Sequence, residues 1–161
     1  MCLDLLDTSK TAIAEKDMAF YKIVRCKINK FGGGIIEYYT PYRDYKIVPG
    51  VTYVERGSEF TNCGNRRDFL GRRVDFVESG GYHLFVRRAD AEHCANSFIN
   101  TKGHYFDIVT LVVKAIVPKG TPYINGRFDN CPCVCTKAVR YEVIGDPKAE
   151  YYGLEKLPLP Y

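Results

Sequence analysis

The chain has no tryptophan and only two methionines among its 161 residues, and it has no long apolar run. No segment approaches the roughly 20 consecutive apolar residues of a membrane-spanning helix. The opening MCLDLLDTSK has neither the basic start nor the apolar stretch of a secretory signal peptide. We therefore expect no membrane association and a cytoplasmic location, where the seven cysteines stay reduced.

Charge of either sign is also not concentrated. The 23 Lys and Arg nearly balance the 19 Asp and Glu, which gives a net charge of +4. A dedicated nucleic-acid binder usually gathers its basic residues on one face, so nucleic acid is disfavoured as a partner. The balance allows a small anionic ligand. With 46% hydrophobic residues, the composition is that of one globular domain with a core.

Aromatic residues are abundant, with 13 tyrosines and nine phenylalanines, and tyrosine suits half-buried strands. Alternating apolar residues predict a strand at 18–28, and the nearly continuous apolar run at 106–118 predicts a central strand. Loops or connections are predicted at 56–73 and 119–132, where glycine and polar residues interrupt the pattern. Further strands are predicted at 35–55 (several short ones), 74–79, 81–86 and 134–144.

The clearest helix signal is ADAEHCANSFI, residues 89–99. Its apolar residues recur at helical spacing, which predicts one amphipathic stripe. We therefore expect a single α+β domain over 1–150, mostly of antiparallel strands, with one principal helix near 89–99. The strands are expected to form a split sheet or a partly open barrel. Residues 151–161 are predicted to be a Pro-rich C-terminal tail.

The cysteines in NCPCVC do not have the spacing of a metal site. Cys131, Cys133 and Cys135 alternate, so an extended chain puts them on one side, about 7 Å apart. A single ion does not readily bridge that spacing, and free cysteine is among the most buried residue types. We predict core residues and no metal site. A site that uses His93 or Cys94 is the weaker alternative.

An arginine pair suggests a place for an anionic ligand. Arg87 and Arg88 precede the predicted helix, whose N-terminus favours anions, and guanidinium groups pair well with phosphate. The alternative interpretation is a solvated basic surface, which Asp90 nearby would dilute. His83 lies in the short strand GYHLFV, where a lone histidine is more often structural than catalytic. No serine elbow, Walker loop or dinucleotide glycine pattern is present, so no catalytic residue is predicted.

Several sequence segments, taken in their order along the chain, resemble those of a family of small, largely uncharacterised bacteriophage and prophage proteins. They are MCLDL, KTAIAEKDMAFYKIV, TPYRDYKIVPGVTY, GGYHLF with ADAEHCA, and VVKAIVPKGTPYINGRF with VCTKAVRY. The family's central motif, G-(F/Y)-H-x-F, is matched by Gly81, Tyr82, His83 and Phe85. Its late motif, IPKG(S/T)xYxxG, is matched by Ile116, Pro118, Lys119, Gly120, Thr121, Tyr123 and Gly126. The resemblance implies a phage-type accessory protein in the cytoplasm of an infected bacterial host.

The layout is more distantly similar to the ADP-ribosyltransferase-like fold. That resemblance implies that Tyr21 or Lys22, together with His83, would line a nicotinamide-nucleotide cleft. Such enzymes commonly use a late glutamate to stabilise a developing positive charge, and Glu142 is the sole candidate in the last predicted strand. The departure favours binding over catalysis.

Three hypotheses follow. The first is a protein that binds a small anionic, nucleotide-like ligand and counters host defence signalling. The second is an NAD-dependent transferase of the ADP-ribosyltransferase type. The third is a protein-interaction or virion-associated protein with a host protein as partner, and a homo-oligomer is left open. For the first, no cofactor is implied, and the predicted ligand-binding residues are Tyr21, Lys22, Tyr82, His83, Arg87 and Arg88.

Overall fold

A computed structural model describes residues 3–5, 10–31, 36–42, 44–57, 59–60, 65–67, 70–77 and 80–143. The predicted tail at 151–161 lies outside these residues. The described residues form 14 strands and one helix. They are β1 (Leu3–Leu5), β2 (Thr11–Ile13), β3 (Met18–Asn29), β4 (Ile36–Tyr39), β5 (Lys46–Ile47), β6 (Thr52–Val54), β7 (Asn65–Arg67), β8 (Arg73–Val77), β9 (Tyr82–Phe85), α1 (Arg88–Ala95), β10 (Thr101–Lys102), β11 (Phe106–Val117), β12 (Pro122–Phe128), β13 (Cys131–Thr136) and β14 (Ala138–Glu142).

The strands form one open, antiparallel sheet in the order β6-β14-β11-β3-β9-β13-β12-β1-β8-β7. The short strands β2, β4, β5 and β10 pair beside this path. The predicted α+β class, with mostly antiparallel strands and one helix, is confirmed. The centre of the sheet is the β3–β11 pair, which is in register along all 12 residues of each strand. Among the described residues, no helix is long and apolar enough to span a bilayer.

Two stretches differ from the prediction. The predicted connection at 119–132 contains β12, which forms a hairpin with β13 and pairs Phe128 with Cys131. Asp129 and Asn130 form the two-residue turn with φ values of 49° and 64°, as a type I′ turn requires. The predicted loop at 56–73 contains the short strand β7.

The helix is shorter than predicted. It begins at Arg88 and ends at Ala95, whereas the apolar pattern predicts that it continues to Ile99. The Ser97 hydroxyl donates a 2.7 Å hydrogen bond to the carbonyl of Cys94, and the Ser97 amide donates to the same oxygen. Serine competes in this way with regular helical bonding. Ile99 is consequently 82% exposed and does not join the apolar stripe.

Side chains that alternate along the strands form three hydrophobic clusters, and the two larger ones lie on opposite faces of the sheet. What we call the sheet core includes Leu84, and what we call the helix core includes its neighbour Phe85. The buried members of the sheet core are Ala14, Phe20, Val24, Ile47, Leu84, Val113, Ala115, Val117, Val134, Val139 and Tyr141. Those of the helix core are Ile23, Phe85, Ala91, Ile124, Cys133 and Cys135. Helix α1 covers the helix core, which leaves the other face for a pocket.

Gly81 lies where β9 approaches β13 too closely for a larger residue. A Cβ atom there would lie 2.5 Å from the Sγ atom of Cys135 and 2.8 Å from the carbonyl oxygen of Thr136. We expect Gly81→Ala to lower the free energy of unfolding by about 1–3 kcal/mol, because the backbone must move to relieve the overlap. Urea denaturation at equilibrium measures this change.

Gly120→Ala separates steric overlap from backbone strain. Gly120 has a φ of +86° and open space around its Cβ position, so the substitution tests strain alone. The double variant Gly81→Ala/Cys135→Ala should recover part of the loss, because it removes one of the two overlapping atoms. Unchanged stability in Gly81→Ala would contradict the close approach of β9 and β13.

A tyrosine-lined pocket as the candidate functional site

A pocket of about 470 Å³ opens on the sheet-core face. Strands β3, β5, β6, β9 and β14 contribute to its lining, as do the segments after β4 and before β9. Its volume is within the range of small-ligand sites, about 300–1,000 Å³. Aromatic rings dominate the walls, and the tyrosines that contribute are Tyr42, Tyr45, Tyr53, Tyr82 and Tyr141. These rings offer flat surfaces on which a planar ligand can stack.

Lys22 is the cation that the central strand brings into this pocket. Along β3, its neighbours Phe20 and Val24 on the same face belong to the sheet core, so the lysine side chain extends over an apolar surface. Strand β3 pairs with β9 at Tyr21 and Phe85. Beyond this pair, the Lys22 Nζ atom donates a 3.0 Å hydrogen bond to the backbone carbonyl of His83. The amine is thereby fixed at the wall of the pocket.

The charge of Lys22 is poorly compensated. None of the ion pairs between described residues includes it. Desolvation by burial lowers the pKa of Lys22 to about 8, and the neighbouring Cys135 and Cys133 act in the opposite direction. Burial in turn raises the pKa of each of these two thiols to about 12, so both are neutral at pH 7. At that pH the pocket therefore presents a predominantly protonated amine whose hydrogen-bonded partner is a neutral carbonyl.

A second buried lysine supports the same stretch of chain. Lys137 is 4% exposed, and its Nζ atom donates a hydrogen bond to the carbonyl of Gly80. The same ammonium lies 4.7 Å from the centroid of the Phe60 ring, a cation–π contact. Lys22 and Lys137 thus hold two carbonyls of the β9 segment, at His83 and Gly80. This arrangement fixes one wall of the pocket.

Three of the pocket's tyrosines have hydroxyls that are held in the neutral form by burial. Burial raises the pKa of Tyr42, Tyr82 and Tyr141, so these phenols stay protonated well above neutral pH. The Tyr53 hydroxyl accepts a 2.8 Å hydrogen bond from the amide of Val48, which fixes that ring between β5 and β6. These tyrosines can therefore donate hydrogen bonds to a ligand without adding negative charge, and the acidic group in the lining is Glu55.

Three of the six residues predicted to bind a ligand line this pocket: Lys22, Tyr82 and His83. His83 is 5% exposed, and its register with Cys135 places its side chain on the helix-core face. Its contact with Lys22 is made by its backbone carbonyl. The side chain of His83 therefore belongs to the core, and its backbone carbonyl accepts the hydrogen bond from Lys22 at the pocket.

Tyr21 does not line the pocket. It precedes Lys22 on β3, so strand alternation turns its side chain to the opposite face. There it packs against the helix core. Of the two neighbours offered by the sequence, Lys22 is the one that reaches the pocket.

Arg87 and Arg88 also lie outside the pocket lining. Arg87 precedes α1, and its Nε atom is 2.7 Å from Asp90 Oδ2. The Nε atom of Arg88 is 2.8 Å from Glu92 Oε1. Both pairs link residues three or four positions apart on an exposed helix surface. The guanidinium groups thus pair with acids of the helix itself.

The predicted burial of the alternating cysteines is confirmed for Cys133 and Cys135, and Cys131 is half-buried. In the described part of the chain, no group of three or more His, Cys, Asp or Glu side chains is placed to hold a metal ion. Glu142 lies on β14, where it accepts a 3.3 Å hydrogen bond from Arg140, and it is not among the residues that line the pocket.

Most of the pocket's aromatic residues were not among the predicted ligand-binding residues. Tyr42, Tyr45 and Tyr53 are close in the chain, but Tyr141 is distant, and the sheet order brings it beside them. The signal available in the sequence was the high tyrosine content, which does not identify positions. Comparison with family models, with curated proteins and with solved structures finds no match for this chain.

Proposed function

We propose that the pocket binds a small anionic ligand with an aromatic ring, of the nucleotide type. The observation that carries this proposal is Lys22, a half-buried lysine whose amine lies at the wall of an aromatic pocket and forms none of the ion pairs between described residues. A buried charge without such compensation is costly, and a bound anion would supply it. The proposal also includes a phage setting and a role against host defence signalling, and these two parts rest only on the resemblance to the phage family.

The tyrosine walls support the aromatic part of the proposal. Stacking of a nucleobase on an aromatic side chain contributes about 1–3 kcal/mol per base. Tyr45 is 63% exposed at the pocket and Tyr82 is half-buried, so rings are accessible to a ligand that enters. Lys22 and these rings offer a charged contact and several flat ones, which suits a planar ring that carries a phosphate or carboxylate. The other charged residues of the lining are Lys46, which pairs with Glu37, and Glu55.

Thermal-shift screening against nucleotides, followed by calorimetric titration, tests the proposal. A ligand present at 100 times its dissociation constant should stabilise the fold by about 2.7 kcal/mol. Lys22→Met should weaken binding roughly 10- to 100-fold, because a hydrogen bond to a charged group contributes about 1.5–3 kcal/mol.

Lys114→Met is the matched control. Lys114 is half-buried and pairs with Tyr21 on the neighbouring strand, so it lies at the same level of the sheet but on the opposite face. The Lys114→Met variant should bind the ligand as tightly as the unmodified protein does. The proposal fails if no nucleotide or related aromatic anion stabilises the protein, or if Lys22→Met and Lys114→Met bind equally well.

A further inference from the structure

The position of the Lys22 amine suits a chemical step as well as a charged contact. The amine lies at the wall of a partly open pocket lined by several tyrosines and is held by one described hydrogen bond, to the carbonyl of His83. A carbonyl oxygen accepts a hydrogen bond without taking a proton, so it leaves the amine able to become neutral. A carboxylate partner would instead hold the proton on the nitrogen. The environment is therefore that of a nucleophilic lysine rather than of a structural ion pair.

We propose that Lys22 condenses with an aldehyde or ketone carbonyl of the bound ligand to form a reversible Schiff base. This inference rests on the proposed function, because it names the class of ligand: an aromatic anion that carries a carbonyl group. The pocket holds both parts of such a molecule, since the tyrosine rings take the planar part and Lys22 reaches the reactive carbon.

The step balances without an oxidant or a reductant. The lone pair of Lys22 Nζ attacks the carbonyl carbon, a C–N bond forms, and the electron pair of the C=O bond moves to oxygen. The oxygen gains a proton as the nitrogen loses one, which gives a carbinolamine. Protonation of its hydroxyl and departure of water then leave a C=N bond. The hydroxyl of Tyr82 in the pocket lining, whose pKa burial raises, is available as a proton donor.

The protonation state of Lys22 supports this chemistry. Its pKa is lowered from 10.5 to about 8, chiefly by desolvation. At pH 7 the neutral, nucleophilic fraction is then roughly two orders of magnitude larger than for an ordinary lysine. Lys114, on the opposite face of the sheet, serves as the internal comparison, and the amines of Lys102 and Lys119 represent the exposed surface.

Reductive trapping tests the inference. Pyridoxal 5′-phosphate, an aromatic aldehyde with a phosphate, is added at equimolar ratio with sodium cyanoborohydride at pH 7, and labelled peptides are mapped by mass spectrometry. Lys22 should be labelled roughly tenfold or more faster than Lys114, given its larger neutral fraction. Excess pyridoxine 5′-phosphate, which has an alcohol in place of the aldehyde, should suppress the labelling at Lys22.

Labelling and nucleotide binding, measured in the same sample, separate this inference from the proposed function. Lys22→Arg keeps a positive charge but has no primary amine that can form the Schiff base, so it should lose the adduct. If labelling is spread over surface lysines with no preference for Lys22, the covalent step is overturned. Nucleotide binding that persists in the same sample would then leave the pocket proposal intact. A preferred adduct at Lys22 without nucleotide binding would support the step and contradict the nucleotide-type ligand.

Discussion

Phe85→Ala is expected to lower the free energy of unfolding by about 3–5 kcal/mol, a large part of the roughly 5–15 kcal/mol that stabilises a domain. Phe85 is 2% exposed and belongs to the helix core. Its ring meets Phe128 edge-on at 6.1 Å between centroids. Its backbone pairs with Tyr21 on one side and with Cys133 on the other. The substitution therefore removes a ring where β3, β9 and β13 meet.

Equilibrium denaturation in guanidinium chloride measures this loss, and Val86→Ala provides the adjacent control. Val86 is 38% exposed, so its truncation should change stability by no more than about 0.5 kcal/mol. Leu84→Ala, on the opposite face of the same strand, should destabilise through the sheet core by about 2–5 kcal/mol. A Phe85→Ala variant within 1 kcal/mol of the unmodified protein would be inconsistent with the ring's position in the helix core.

Lys22→Met is expected to stabilise the protein at neutral pH by up to about 3 kcal/mol, a gain that disappears as the pH rises. The folded protein holds the pKa of Lys22 at about 8, below its ordinary value of 10.5. Between these values the unfolded chain binds more protons than the folded one, so stability increases with pH. Below pH 8 the cost of burying the charge is fully present, and above 10.5 it is absent. Methionine has no charge to bury at any pH.

The difference between Lys22→Met and the unmodified protein isolates this effect, because the other titrating groups occur in both. Urea unfolding at pH 7, 8, 9 and 10 should show the two free energies converging. Lys114→Met controls for the loss of a lysine as such. A difference that stays constant with pH would contradict the lowered pKa of Lys22. The expected gain in stability also means that lost ligand binding in Lys22→Met cannot be ascribed to unfolding.

Hydrophobic pattern alone was enough to predict the long central strands. The alternation at 18–28 and the apolar run at 106–118 correspond to β3 and β11. In these strands, burial on the faces of the sheet determines which positions are apolar. The pattern failed at β12, where Pro122 and Gly126 resemble a connection although β12 pairs with β13 along its length. The Asp129-Asn130 turn was the missed hairpin signal, since both residues tolerate positive φ.

The candidate site was less accessible to sequence reasoning. Strand alternation makes Tyr21 and Lys22 point to opposite faces, but the sequence does not tell which face has the pocket. That depends on where α1 packs and on how far β9 diverges from β3. Arg87 and Arg88 were predicted to bind an anion because they are adjacent cations, but their guanidinium groups form ion pairs with acidic residues one turn away along the helix. Local contacts of this kind are a regular alternative to ligand binding.

The pairing of β3 with β11 also affects how the chain behaves as it is made. A ribosome adds about 5–20 residues per second, so β3 emerges on the order of ten seconds before β11 is complete. During that interval the apolar residues of β3, such as Ile23 and Val24, lack the strand that later covers one full edge. Pairing that joins such distant segments also folds slowly, because the loop must close first. The β3–β11 pair therefore cannot be completed before Val117 has been synthesised.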